Sequence, residues 1–205
     1  MGPVASVLLR EPLTDEQLST LRGWLDANGC WVTARATGGG LLDYDLSIAE
    51  QTFPDLIDLH REGPRPFSFS DEEPITYEEE QDSWQSCLGY MPQGGFHISA
   101  GCNQPIDHLI LGRLALYWAR ELGGVIDMGG AVTPGLPLPP GRHRLDDGHI
   151  WGWTIDEVRA FLSTMPGKTF EHWYEVTPTR RFVSHSVDTD FLEAWLKHPQ
   201  FRMIK

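Results

Sequence analysis

Phe96-His97-Ile98-Ser99-Ala100, then Gly101-Cys102-Asn103-Gln104-Pro105, then the run from Ile106 to Leu122, form the stretch that decides the fold. The first five residues alternate apolar and polar, which is the period of a strand. Pro105 fits the first turn of a helix, where its missing N–H leaves no bond unmade, with Asn103 or Gln104 as the cap. Ile106, Leu109, Ile110, Leu111, Leu114, Ala115, Trp118, Ala119 and Leu122 then cover more than half of a helical circumference. A helix that apolar is predicted to be buried against a sheet on one side and other elements on the other. Gly112 is the position where a neighbour is expected to come close, and Gly123-Gly124 ends the helix before Val125-Ile126-Asp127-Met128 resumes as a strand.

Working outward, Val4 to Leu9 reads as a first strand. Thr14-Asp15-Glu16-Gln17 reads as a capping box for a helix with Leu18, Leu21, Trp24 and Leu25 on one face. Asn28-Gly29 is expected to stop it in a left-handed conformation. Strands are expected over Cys30 to Ala36 and Leu41 to Ile48, joined by Gly38-Gly39-Gly40. Pro66 to Ser70 and Ile75 to Tyr77 are expected as short extended pieces around an acidic turn. Residues 133–142 read as a proline-rich surface loop. Thr154-Ile155-Asp156-Glu157 opens a short helix that Pro166-Gly167 is expected to stop. Thr169 to Val176 and Arg181 to Val187 alternate as a hairpin, and Asp188 or Thr189 caps a last helix carrying Phe191, Leu192, Trp195 and Leu196. The expectation is a single α+β domain over 1–205, with a mixed or mostly antiparallel sheet packed by the central helix at about 105–122. Its length of 205 residues and 40% hydrophobic content suffice for a real core.

Charge is the most informative functional feature. The chain carries a formal −13, and residues 41–82 alone hold 13 acidic and 2 basic residues. Such a balance argues against a nucleic-acid binder or an anionic-membrane binder, which need basic faces. Asp71, Glu72, Glu73, Glu78, Glu79, Glu80 and Asp82 crowd seven carboxylates into 12 residues. One reading is a solvated face that maintains solubility. The other is an electrostatic docking surface for a basic protein, with Tyr77 and Trp84, and also Phe67, Phe69 and Ile75, as apolar anchors.

Chemical signatures are weak. Cys102, Asn103, Asp107 and His108 lie close together, and Cys102 near a helix N-terminus is the candidate nucleophile of an enzyme of unknown class. Helix capping accounts equally for Asn103 and Asp107. As a metal set, His97, Cys102, Asp107 and His108 lie within 12 residues but are spread over a strand, a turn and a helix, with no second cluster to complete a set of four. No G-x-G-x-x-G, G-x-S-x-G or H-E-x-x-H occurs, so no metal or cofactor is expected. His185-Ser186, Glu171 and Glu175 read as unremarkable, and Trp151, Trp153, Trp173 and Tyr174 as core or hairpin packing. Three widely spaced cysteines form no disulfide framework. The first residues lack a basic leader and no run approaches the ~20 apolar residues of a membrane span, so a cytoplasmic protein is expected.

The stretch Ile98-Ser99-Ala100-Gly101-Cys102-Asn103-Gln104-Pro105-Ile106-Asp107-His108, with Leu111-Gly112-Arg113-Leu114-Ala115, Gly123-Gly124-Val125-Ile126-Asp127 and the ending Phe191-Leu192-x-Ala194-Trp195-Leu196-x-His198-Pro199-x-Phe201, resembles a small family of uncharacterised bacterial proteins. The resemblance implies no catalytic residue. In general character the chain is similar to the immunity proteins that neutralise secreted bacterial toxins. The functional expectation is a protein-binding inhibitor of immunity type that meets a basic partner, such as a nuclease-like toxin, through residues 67–84. An enzyme using the Cys102–His108 region and a non-catalytic accessory subunit are the alternatives.

Overall fold

The computed structural model describes residues 2–34, 43–48, 52–59, 65–71, 78–135, 138, 140–141, 150–177 and 180–204. Along them run β1 (Val4–Leu9), α1 (Asp15–Asn28), β2 (Gly29–Ala34), β3 (Asp43–Ile48), β4 (Arg65–Asp71), α2 (Glu78–Leu88), β5 (Gly94–Ala100), α3 (Pro105–Leu122), β6 (Val125–Asp127), α4 (Ile155–Leu162), β7 (Thr169–Thr177), β8 (Arg180–Val187) and α5 (Thr189–Leu196). A 3-10 turn spans Pro54–Leu59. The strands form one sheet in the order β2-β3-β4-β5-β1-β6-β8-β7, and every described pairing is antiparallel. The α+β fold is therefore a single sheet with helices, as the alternating elements led us to expect.

β5 and β6 both pair with β1 and so run parallel to each other. Parallel neighbours need a long crossover, and α3 supplies it by passing over β1. That route explains the apolar circumference of α3. One side meets Val7, Phe96, Ile98 and Ile126 of the sheet; the other meets Trp24 of α1, which stacks on Tyr117 and stands edge-on to Trp118, and Leu192 and Trp195 of α5. At Gly112 a Cβ would lie 2.9 Å from Leu196 Cδ2 and 3.0 Å from Phe201 Cζ, so the expected close neighbour is the chain from α5 onward.

Local signals operate largely as read. Thr14 and Gln17 form a reciprocal capping box, as do Thr154 and Glu157, and Asp188 accepts from the Phe191 N–H at 2.8 Å. Gln104 is the N-cap of α3, and Gly123 closes that helix at φ 72°. One expectation needs correction, and one helix was not expected. Gly29 is extended (φ −88°, ψ 137°), because the chain passes straight from α1 into β2 with no reversal. Residues 78–88 form α2, which lacks an apolar stripe: Trp84 is its one buried residue among the described side chains, with Glu80, Gln81, Ser83, Cys87 and Leu88 half-buried. α4 ends at Leu162, before Pro166-Gly167. The Gly38–Gly40 turn, the extended piece Ile75–Tyr77 and part of the loop at 133–142 lie outside the described residues.

Candidate functional site

Strand alternation gives the sheet two unlike faces. Val7, Phe67, Phe69, Phe96, Ile98, Ile126 and Val187 point to α1, α3 and α5. On the other face the cross-strand partners Ser70↔His97, His97↔Ser6, Ser6↔Asp127 and Asp127↔Ser186 line up as one row over β4, β5, β1, β6 and β8. Four interstrand steps of ~4.8 Å make that row roughly 19 Å long. Ser184 and His172, paired across β8 and β7, extend the polar patch by one position. The sequence does not group these residues into one site, because each strand carries only one or two of them. Their signal is positional: single hydroxyl, imidazole or carboxylate residues fall at the same phase of separate strands.

The covered end of this row has a defined geometry. Trp84 of α2 lies flat on the His172 ring, with centroids 3.8 Å apart and planes 28° apart. His172 Nε2 lies 3.4 Å from Asp127 Oδ1 and 3.4 Å from Ser186 Oγ. The Ser184 and Ser186 hydroxyls donate to the same Asp127 oxygen at 3.3 and 3.5 Å. Farther along, Ser6 Oγ and His97 Nδ1 are 2.6 Å apart. Cys87, one turn after Trp84, hydrogen-bonds the Trp84 carbonyl. Burial pushes its thiol up to about 11, and the negative charge of Asp127 pushes the same way, so it stays protonated at neutral pH.

These groups do not make a hydrolytic triad. In that arrangement serine and carboxylate address opposite ring nitrogens, whereas Ser186 and Asp127 both face Nε2 of His172, and Ser186 is fully buried. Among the described residues no group of three His, Cys, Asp or Glu side chains is placed to hold a metal ion.

The acidic residues are not all brought together. Glu72, Glu73 and Tyr77 lie outside the described residues, and for Glu78 and Glu79 only their place at the start of α2 is described. Glu80 is half-buried and Asp82 exposed on the same helix. Asp71 falls in phase with Phe67 and Phe69, so it belongs to the helix-bearing side of the sheet, whereas α2 packs on the other. Asp55 is bound by both guanidinium nitrogens of Arg113 at 2.6 Å, which holds its carboxyl below the ordinary range. The described carboxylates of 41–82 thus divide between the two sides.

The expected aromatic anchors also move. Trp84 is only 5% exposed, and Phe67 and Phe69 are core residues, so none of the three offers a surface to a partner. Trp173, read as hairpin packing, is instead 40% exposed on the end strand β7. Its backbone N–H donates to Ser83 Oγ of α2 at 2.9 Å. Trp151 is exposed as well and has φ 53°, an uncommon conformation for a bulky residue, within the tight turn closed by Ile150 and Trp153.

The Cys102–His108 region is committed to structure. Asp107 is fully buried; Arg65 Nε and Nη2 each donate to its carboxylate at 2.8 Å, and the Gln104 N–H donates at 2.7 Å. His108 Nδ1 is 3.1 Å from the Met203 backbone N, tying α3 to the C-terminal segment. Asn103 is exposed and Cys102 half-buried in the turn before α3. Asp107 therefore anchors Arg65 and the start of a helix, and no described carboxylate there is free to act as a base.

By architecture the chain is an α+β domain of one antiparallel sheet, with its helices mainly on one face and a partly covered polar row on the other. It belongs to the family of unknown function DUF6368, whose model matches residues 1–205. None of the curated proteins and none of the solved structures matches this chain. Among the described residues no helix is long and apolar enough to cross a membrane.

Proposed function

We propose that the protein is a binding protein of immunity type, which neutralises a basic partner, such as a toxin, by meeting it with α2 and the adjoining edge of the sheet. The observation that carries this reading is Trp173, a large exposed aromatic tethered by its own backbone to the helix that begins Glu78-Glu79-Glu80-Gln81-Asp82. Trp173 follows His172 along β7, so its ring projects from the face opposite α2, at the sheet edge that the acidic helix start adjoins. An aromatic anchor at such an edge supplies affinity, and the charges across the edge supply encounter rate and selectivity. The formal charge of −13 adds a long-range attraction for a cationic macromolecule. The committed roles of Asp107 and Arg65 favour this reading over an enzyme built on the Cys102 region.

The test uses the full chain as bait against the secreted proteins of its source, at low and at high salt. Wild type is expected to retain a basic protein at low salt, and Trp173→Ala to lose it. Reversal of Glu78, Glu79 and Glu80 to Lys is expected to slow its association at least tenfold with little change in thermal stability. Retention of the same proteins by wild type and both variants, at both salt concentrations, overturns the reading.

A further inference from the structure

Asp127 carries a partly exposed carboxylate that its described neighbours hold only loosely. Its side chain is 20% accessible, yet Ser184, Ser186 and His172 around it are almost wholly buried. Every side-chain contact it makes goes to Oδ1 and lies at 3.3 to 3.5 Å. Hydrogen bonds from a hydroxyl to oxygen ordinarily measure 2.5–3.0 Å, and an ionised carboxylate has about four acceptor sites. The Gly129 N–H, at 3.4 Å, also reaches only Oδ1. No donor from a described residue reaches Oδ2, and no described Lys or Arg pairs with this group.

The surroundings select the sign of what fits. α2 forms one wall, with Trp84 stacked on His172 and the neutral Cys87 thiol one turn further on. The floor is the polar row of the sheet, with the Ser6 and His97 pair beyond. An anion would be repelled by the carboxylate, and a neutral ligand would add no charge to the single long contact, at 3.4 Å, that His172 gives it. A group with several N–H donors and a positive charge would make charge-assisted bonds of ~2.7–2.9 Å to Oδ2 and draw the loose cage together.

We propose that Asp127 is the receptor of a binding site for one cationic nitrogen group, an ammonium or a guanidinium, entering between α2 and the polar face of the sheet. The group belongs either to a small amine or to a lysine or arginine side chain presented by another protein. The site stands apart from the acidic start of α2, so failure of the charge-reversal experiment above leaves it intact.

The experiment follows the ring protons of the histidines by NMR while the full chain is titrated with ethylammonium chloride, with methylguanidinium chloride and with sodium chloride at matched ionic strength. His172 is expected to shift saturably with the nitrogen cations and not with sodium, while His198, on the helix-bearing side, stays still. Asp127→Asn is expected to weaken the response at least tenfold, and Asp127→Glu to restore part of it. Blocked tripeptides Gly-Lys-Gly and Gly-Arg-Gly distinguish the sources: binding at least as tight as the free cations assigns the site to a protein side chain, and exclusion of the peptides assigns it to a small amine. Equal shifts with sodium, movement of His198 together with His172, or an undiminished response in a folded Asp127→Asn protein overturns the proposal. The wild-type comparison decides by itself if neither variant folds.

Discussion

Replacing Arg65 with Met strands the Asp107 carboxylate in the interior, and the cost is calculable in order of magnitude. Both members of the pair are almost fully enclosed, with side-chain exposures of 7% and 0%, and the two 2.8 Å bonds are the fork geometry that arginine favours. Breaking a buried pair by removing one partner costs ~3–5 kcal/mol, because the survivor keeps its desolvation penalty. Asp107→Leu leaves Arg65 stranded instead and also removes the acceptor of the Gln104 N–H, worth ~1 kcal/mol at a helix start. Removing both partners together leaves no buried charge, so Arg65→Met/Asp107→Leu is expected to lose far less than the two single changes added. Equilibrium unfolding in urea, read by circular dichroism, gives all four values. For a chain of this length each kcal/mol moves Tm by ~2–4 °C, so the single variants are expected to melt ~6–20 °C lower. Single changes costing under ~1 kcal/mol, or a double variant that is merely additive, would refute the assignment of Asp107 to structure and reopen its candidacy as a chemical group.

The remaining expectations concern the sheet. Burial depresses the His185 imidazole from 6.5 to about 4, and the charges around it are Glu171, His172, Asp127 and Arg159. Its Nδ1 accepts the Val132 N–H at 3.0 Å. The unfolded chain therefore binds the proton first, and stability present above pH 6.5 drains away as pH falls towards 4, by about 3 kcal/mol from this group. In His185→Gln that part of the pH dependence is expected to vanish from urea unfolding curves measured between pH 7 and 4; an unchanged slope would count against it. Trp84→Ala removes the plate that seats α2 on His172 and is expected to cost ~3–5 kcal/mol. The same variant is expected to raise hydrogen exchange in α2 before the rest of the sheet, and uniform loss of protection would contradict that local role.

Much of the architecture was legible because its causes are short-range. The capping boxes at Thr14 and Thr154 and the left-handed Gly123 are decided by a few neighbouring residues, and α3 announces its burial over more than half of its circumference. Gly29 was misread because the same dipeptide that can end a helix by reversal can also lead straight into an edge strand; only the position of β2 decides. α2 was invisible for a different reason. Its acidic first turns have no apolar period, and the described contacts that seat it include a stacking contact and a hydroxyl bond, both to β7 about 90 residues away. The site was hidden by the same kind of distance. Ser6, His97, Asp127 and Ser186 are ordinary residues in their own strands and become a row only through register. Trp84 is buried and Trp173 exposed, the reverse of what the sequence suggests, because exposure of a single aromatic depends on which element lies over it.

The polar row also bears on how the sheet assembles. Moving any one of β1, β5, β6 or β8 by a single residue against its neighbours would turn Ser6, His97, Asp127 or Ser186 into the hydrocarbon interior and turn Val7, Ile98, Ile126 or Val187 out of it. Each misaligned pairing is penalised twice, so these hydrophilic side chains act as alignment pins that discourage slipped intermediates during folding.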